Sequence, residues 1–137
     1  MASIETPEET VGRDVHAAIP EDFRLESGQR LATTDVVGRL HGPDHAPLVV
    51  VAGGISSGRF AARWWPSVVK AGGPINLHHL RVLAFDLLPG RGAPGVTITT
   101  TDQARLLALL LDALDERRID AFVGASYAGC IGLAFAA

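Results

Sequence analysis

The chain has 137 residues, 47% apolar and 20% charged, with a net charge of −3. That length suits one domain, which can bury roughly two thirds of its unfolded surface, and the composition excludes a disordered chain. The acidic balance argues against a nucleic-acid binder, which needs a clustered basic face. The single basic pair, Arg117-Arg118, reads as a solvated helix end. With one cysteine, Cys130, neither an internal disulfide framework nor a Cys-based zinc site can form, and a lone thiol suits a reducing compartment. The first 20 residues are acidic and lack the apolar core of a signal peptide. The longest apolar run, around Leu106 to Leu111, is far short of the ~20 residues that span a bilayer. A cytoplasmic protein with no membrane and no nucleic-acid partner is expected.

Residues 1–20, rich in Thr, Glu, Pro and Gly without a period, are expected to be a loose leader to a domain over 21–137. Phe23 to Glu26 alternates apolar and polar as a half-buried strand does, Ser27-Gly28 reads as a turn, and Leu31 to Leu40 reads as the returning strand of a hairpin. Pro47 to Ala52 is a continuous apolar run, the mark of a strand buried on both faces, and it ends in the flexible loop Gly53 to Gly58. Phe60 to Lys70, carrying Trp64 and Trp65, is expected to hold a short helix broken at Gly72-Gly73-Pro74. Leu80 to Asp86 is a second buried-type strand, and Leu87 to Thr100 should be irregular. Leucines from Leu106 to Leu114 give a helix a broad apolar face, with Thr101 or Asp102 as its N-cap. Asp120 to Gly124 is a third buried-type strand, and Ala128 to Ala137 is small, apolar and helical. Strands alternating with helical segments after a hairpin predict an α/β fold with a largely parallel sheet.

Gly124-Ala125-Ser126-Tyr127-Ala128-Gly129 approaches the G-x-S-x-G pattern of a nucleophile elbow, although the strict pattern fails at Ala128. Small residues on both sides of Ser126 are what a serine on a sharp strand-to-helix turn requires. Two other readings compete: Ser126 as an ordinary helix cap, and a glycine loop binding an anion at a helix N-terminus. Neither glycine loop has the Lys-Ser/Thr of a P-loop or a G-x-G-x-x-G after a strand. A nucleophilic serine needs an oxyanion hole. One donor would be the N–H of Tyr127, and the other would come from the loop after the earlier strand, at Gly53-Gly54-Ile55-Ser56.

The segments Val49 to Ser56, Phe85 to Gly92 and Phe122 to Gly129 together resemble the homoserine O-acyltransferases of the α/β-hydrolase superfamily, and the likeness runs from about Phe23 to the last residue. The resemblance implies an α/β-hydrolase-like, largely parallel sheet with an N-terminal hairpin. It implies transfer of an acetyl or succinyl group from coenzyme A to the hydroxyl of L-homoserine, in methionine biosynthesis, through an acyl-serine. It places the catalytic serine at Ser126, the oxyanion donors at Ile55 and Tyr127, and substrate contacts at Gly54 and Ser56. No bound cofactor or metal is implied; acyl-CoA is a co-substrate, and a homodimer is expected for the intact enzyme. The sequence departs from the family in having Gly53 where His is usual, Ala128 where Gly is usual, and an altered glycine-rich segment around Pro89 and Arg91.

The family's triad runs Ser, Asp, His, yet none of the 11 residues after Ser126 is Asp, Glu or His. The five histidines, His16, His41, His45, His78 and His79, all precede it, and His78-His79 reads as a solvated loop. The chain is therefore expected to be the N-terminal part of a larger enzyme, with an esterase on the same scaffold or an inactive fragment as the alternatives.

Overall fold

Two strands with wholly apolar interiors form the centre of the sheet. In the computed structural model, which describes residues 12–90 and 95–137, β3 (Leu48–Ala52) is buried at every residue and β6 (Arg81–Phe85) is buried from Val82 onward. They pair in parallel, with Val49 opposite Val82. β7 (Ala121–Gly124) joins the other edge of β3, also parallel. Beyond β6 lie β2 (Asp35–His41) and then β1 (Arg13–Ala18), both antiparallel to their neighbours. The order is β1-β2-β6-β3-β7.

Side chains alternate between the two faces of β3, so the core has two halves. Leu48, Val50 and Ala52 face the larger half with Val36, Leu83 and Phe85. There they meet Leu106, Leu107, Leu110 and Leu111 of α2 (Thr100–Ala113) and Ile131 of α3 (Tyr127–Ala136). Val49 and Val51 face the smaller half, closed by Ala61 of α1 (Ala61–Trp64) and by Val69 and Ile75. The last two belong to a short parallel pair, β4 (Val69–Lys70) with β5 (Ile75–Asn76).

All three buried-type strands form where the sequence places them, but β7 is the outermost strand of the described sheet. Ala121 and Gly124 are exposed, and Phe122 and Val123 are half-buried. The expected leader is partly wrong. Residues 13–18 form β1, with Val15 and Ala17 buried and their neighbours outward; residues 1–11 lie outside the described set. The hairpin is made by β1 with β2, not by Phe23 to Glu26. Instead residues 23–29 form a turn docked on the start of α2. Leu25 is buried there, Glu26 N–H donates to Asp102 Oδ1 (3.0 Å), and Thr99 Oγ1 donates to the Glu26 carboxylate (2.6 Å). Tertiary hydrogen bonds thus override a short alternating pattern. The helix expected over Phe60 to Lys70 is only one turn, because Trp65 precedes Pro66, a position that disfavours helical backbone. The N-cap of α2 is Thr99 rather than Thr101 or Asp102. Asp102 is the third helical residue and returns a bond to Thr99 N–H, completing a reciprocal capping box.

Candidate active site

Ser126 joins β7 to α3 with φ 57° and ψ −126°. Positive φ is uncommon for a residue with a Cβ and stores local strain. The turn is held open-side out by its small neighbours. A Cβ on Gly124 would lie 2.6 Å from the Ala128 carbonyl oxygen and 2.9 Å from Gly129 N, both backbone atoms that cannot swing aside. Ala128 is fully buried, and a Cβ on Gly132 would meet the Phe122 ring at 2.7 Å. Helix α3 therefore lies close along β7, and Ser126 is left exposed at the apex. It makes no side-chain cap bond to the helix, which removes the competing reading of Ser126 as a capping serine.

The second loop leaves β3, the strand beside β7. Ala52 and Gly124 are paired, so both loops start at the carboxyl ends of adjacent parallel strands, the usual position of an α/β binding crevice. Ser57 N–H donates to the Gly54 carbonyl (3.0 Å), making residues 54–57 a tight turn. A Cβ at Gly53 would fall 2.5 Å from Ser57 Oγ and 2.9 Å from the Trp64 ring, so this loop has no room for a side chain there. Ile55 projects outward, 74% exposed. Just past the turn, Arg59 forks between two carboxylates. It donates to Asp86 at the end of β6 (2.7 Å) and to Asp14 of β1 (3.0 Å). These partners hold the Arg59 guanidinium firmly protonated, the Asp14 bond first; in return Arg59, with Arg39 behind it, lowers the Asp14 carboxyl.

Between the loops lies a cleft of about 420 Å³. Ile55 and Ser56 line it together with Tyr127, Gln103, Leu87 to Gly90 and Ile98. Of the predicted site residues, Ile55, Ser56 and Tyr127 line this cleft. Ser126 is exposed next to Tyr127, and Gly54 sits half-buried inside its turn. No charged side chain lines the cleft among the described residues. Burial pushes the Tyr127 hydroxyl above its ordinary value, with a hydrogen bond to Gln103 partly opposing. None of the histidines lines it: His16, His45, His78 and His79 are exposed elsewhere, and His41 is buried on β2. Burial first, and Arg39 second, lower His41 to about 4.

Sequence reasoning missed Gln103, Leu88, Ile98 and the Arg59 fork. Gln103 follows a capping aspartate with no spacing signal of its own, and Leu88 and Ile98 lie in a stretch that reads only as irregular. Pro89, in the altered glycine-rich segment, lines the cleft; Arg91 and Gly92 lie outside the described residues. Cys130 is a free, exposed thiol on α3. No helix among the described residues is long and apolar enough to cross a membrane.

No family model matches the chain. Over 105 residues it is 43% identical to a homoserine O-succinyltransferase from Xanthomonas campestris pv. campestris, an alignment taking in 71% of this chain. The chain thus spans 28% of that relative's length. Among solved structures it resembles a homoserine O-acetyltransferase from Staphylococcus aureus (TM-score 0.73, 22% identity, 90% of this chain and 42% of the other). A homoserine O-acetyltransferase from Bacillus anthracis is similar to the same degree (TM-score 0.72, 17% identity, 92% and 43%). At those identities the two establish the fold alone. A hydrolase from Pseudomonas aeruginosa aligns with TM-score 0.57 at 30% identity over 74% of this chain and 37% of that one. The architecture is that of the α/β hydrolases, as the resemblance implies, and its largely parallel sheet is the one that the alternation of strands and helices predicts.

Proposed function

This chain is related to the homoserine O-acyltransferases of the α/β-hydrolase superfamily, and from that premise we propose that the intact protein moves an acetyl or succinyl group from acyl-CoA to the hydroxyl of L-homoserine, in methionine biosynthesis. The observation that carries this reading is the strained, exposed Ser126 at the carboxyl end of β7, beside a cleft whose walls include Ile55 and Tyr127. Ser126 Oγ attacks the thioester carbonyl. The C–S bond breaks, coenzyme A leaves as the thiol with the serine's proton, and an ester remains on Ser126. The N–H groups of Ile55 and Tyr127 donate to the oxyanion; donors of this kind contribute roughly 3–4 kcal/mol to lowering the barrier. The homoserine hydroxyl then attacks the ester and regenerates the serine. Gly54 and Ser56 contact the substrate.

The base that takes the serine's proton and the carboxylate that orients it are supplied from outside residues 1–137, so these residues alone do not turn over. The intact enzyme works in the cytoplasm as a homodimer, with acyl-CoA as co-substrate rather than bound cofactor. The test is steady-state kinetics of the intact protein with acetyl- or succinyl-CoA and L-homoserine. Parallel double-reciprocal lines and an acyl adduct trapped on Ser126 are expected; intersecting lines without an adduct reject the acyl-serine. The 30% identical hydrolase gives a second reading some weight. Thiol release that does not depend on homoserine would favour hydrolysis.

A further inference from the structure

Gln103 lies in the first turn of α2, only 2% exposed, and the reaction as derived so far does not use it. A buried amide is costly unless its donors and acceptor are met. Here Oε1 accepts from Leu88 N–H (3.3 Å) and Nε2 donates to the Leu88 carbonyl, so the side chain grips one residue's backbone at both ends. The same amide lies near enough to the Tyr127 hydroxyl to influence its titration, and both side chains line the cleft. Leu88 and Tyr127 both line the cleft, and Tyr127 directly follows Ser126. One side chain therefore holds the loop after β6 within the cleft that the elbow's Tyr127 also lines. Its own base is fixed, because the turn that carries it is locked by the Thr99–Asp102 capping box and by Glu26 N–H on Asp102.

We propose that Gln103 is a positioning residue that fixes Leu88 relative to Tyr127 in the cleft beside Ser126, and so sets the length of acyl chain that Ser126 accepts. This rests on the acyl-serine reading above. A rigid apolar slot discriminates by about tenfold or more per methylene, whereas walls free to slide discriminate less.

The test uses the intact protein, the variants Gln103→Ala and Tyr127→Phe, and p-nitrophenyl acetate and hexanoate as probes. The readout is the ratio of kcat/KM for the two esters, in which the fraction of folded enzyme cancels. We expect the ratio to move toward one by about tenfold in Gln103→Ala, and by less in Tyr127→Phe, which leaves both Leu88 bonds in place. An unchanged ratio, even with slower rates, makes Gln103 merely structural and overturns the proposal. Hydrogen exchange on the same proteins needs no turnover. Faster exchange in 87–90 and 126–130 together, with β1 and β2 unchanged, is expected; wild-type exchange in either segment overturns the clamp. Failure of the wild type to cleave either ester rejects the acyl-serine reading, and the acyl-length role with it, and leaves exchange to decide the clamp itself.

Discussion

Ala52 and Gly124 stand opposite each other in the β3–β7 ladder, each the last residue of its strand. One step on, Ala125 N–H still donates to the Ala52 carbonyl at 3.1 Å. The two chains part only beyond this bond, so the Gly53–Ser57 loop and the Ser126 elbow begin at the same height. That shared origin, rather than any contact between the loops, is what brings Ile55, Ser56 and Tyr127 to one cleft.

The elbow's backbone strain can be separated from its chemistry. Ser126→Ala and Ser126→Gly both remove the hydroxyl, but only glycine relaxes the φ of 57°. Both variants should lose acyl transfer in the intact protein. Ser126→Gly should be more stable than Ser126→Ala by about 1 kcal/mol in urea unfolding. Equal stabilities would mean that the turn carries no strain.

Two glycines of the same motif should respond in opposite ways. Gly124→Ala drives a methyl into the backbone of Ala128 and should cost about 1–3 kcal/mol. At Gly129 the nearest atom to an added Cβ is the Gly124 oxygen at 3.6 Å, an ordinary contact on a helix. Gly129→Ala should therefore be neutral or stabilising by up to about 1 kcal/mol. Thermal melts of the two variants decide this, and a larger loss at Gly129 would contradict the packing described.

His41 should give the protein a pH-dependent stability. In the unfolded chain it takes a proton near 6.5; buried, it resists until about 4. Between those values the unfolded state binds more protons, so stability falls as pH falls through the window and is unaffected by His41 above it. The slope approaches about 1.4 kcal/mol per pH unit at most. The lowered carboxyl of Asp14 adds a slope of the same sign, but only from the acid edge of this window downward. Urea unfolding of wild type and His41→Leu from pH 4 to 7.5 should show a flatter profile in the variant; parallel profiles would assign the slope elsewhere.

The Arg59 fork should resist conservative exchange. Arg59→Lys keeps the charge but cannot bridge Asp86 and Asp14 in the same geometry. Because both carboxylates are partly exposed, the expected loss is modest, about 1 kcal/mol. The more telling measurement is hydrogen exchange in residues 53–58, which should speed up as the turn after β3 loses its anchor. Unchanged exchange there would show the fork to be irrelevant to the loop.

The parts of the fold that were legible in the sequence are those set by local chemistry alone. Val49, Val50 and Val51 can only be a buried strand, and Leu106 to Leu111 can only be the buried face of a helix. The small residues around Ser126 announce a tight turn before any coordinates exist. What the sequence concealed depends on partners distant in the chain. Phe23 to Glu26 alternates like a strand, yet Asp102, 76 residues further on, captures the Glu26 N–H. The strand Arg13–Ala18 hides behind an acidic, proline-bearing start and is revealed only by its pairing with β2. The walls of the cleft were equally silent, since the polar contacts that fix Leu88 come from Gln103, a residue whose type and spacing say nothing about where its amide will point.

Among the described strands β7 comes last in sequence and lies outermost, while β1, β2, β6 and β3 are already contiguous without it. A ribosome therefore delivers these four contiguous strands, with α2 to cover them, before Ser126 has been made. Ser126 is then seated along the free edge of β3, and the strain of its turn is imposed by a surface made beforehand. Protease protection of nascent chains stalled once α2 has cleared the exit tunnel would register that platform ahead of the elbow.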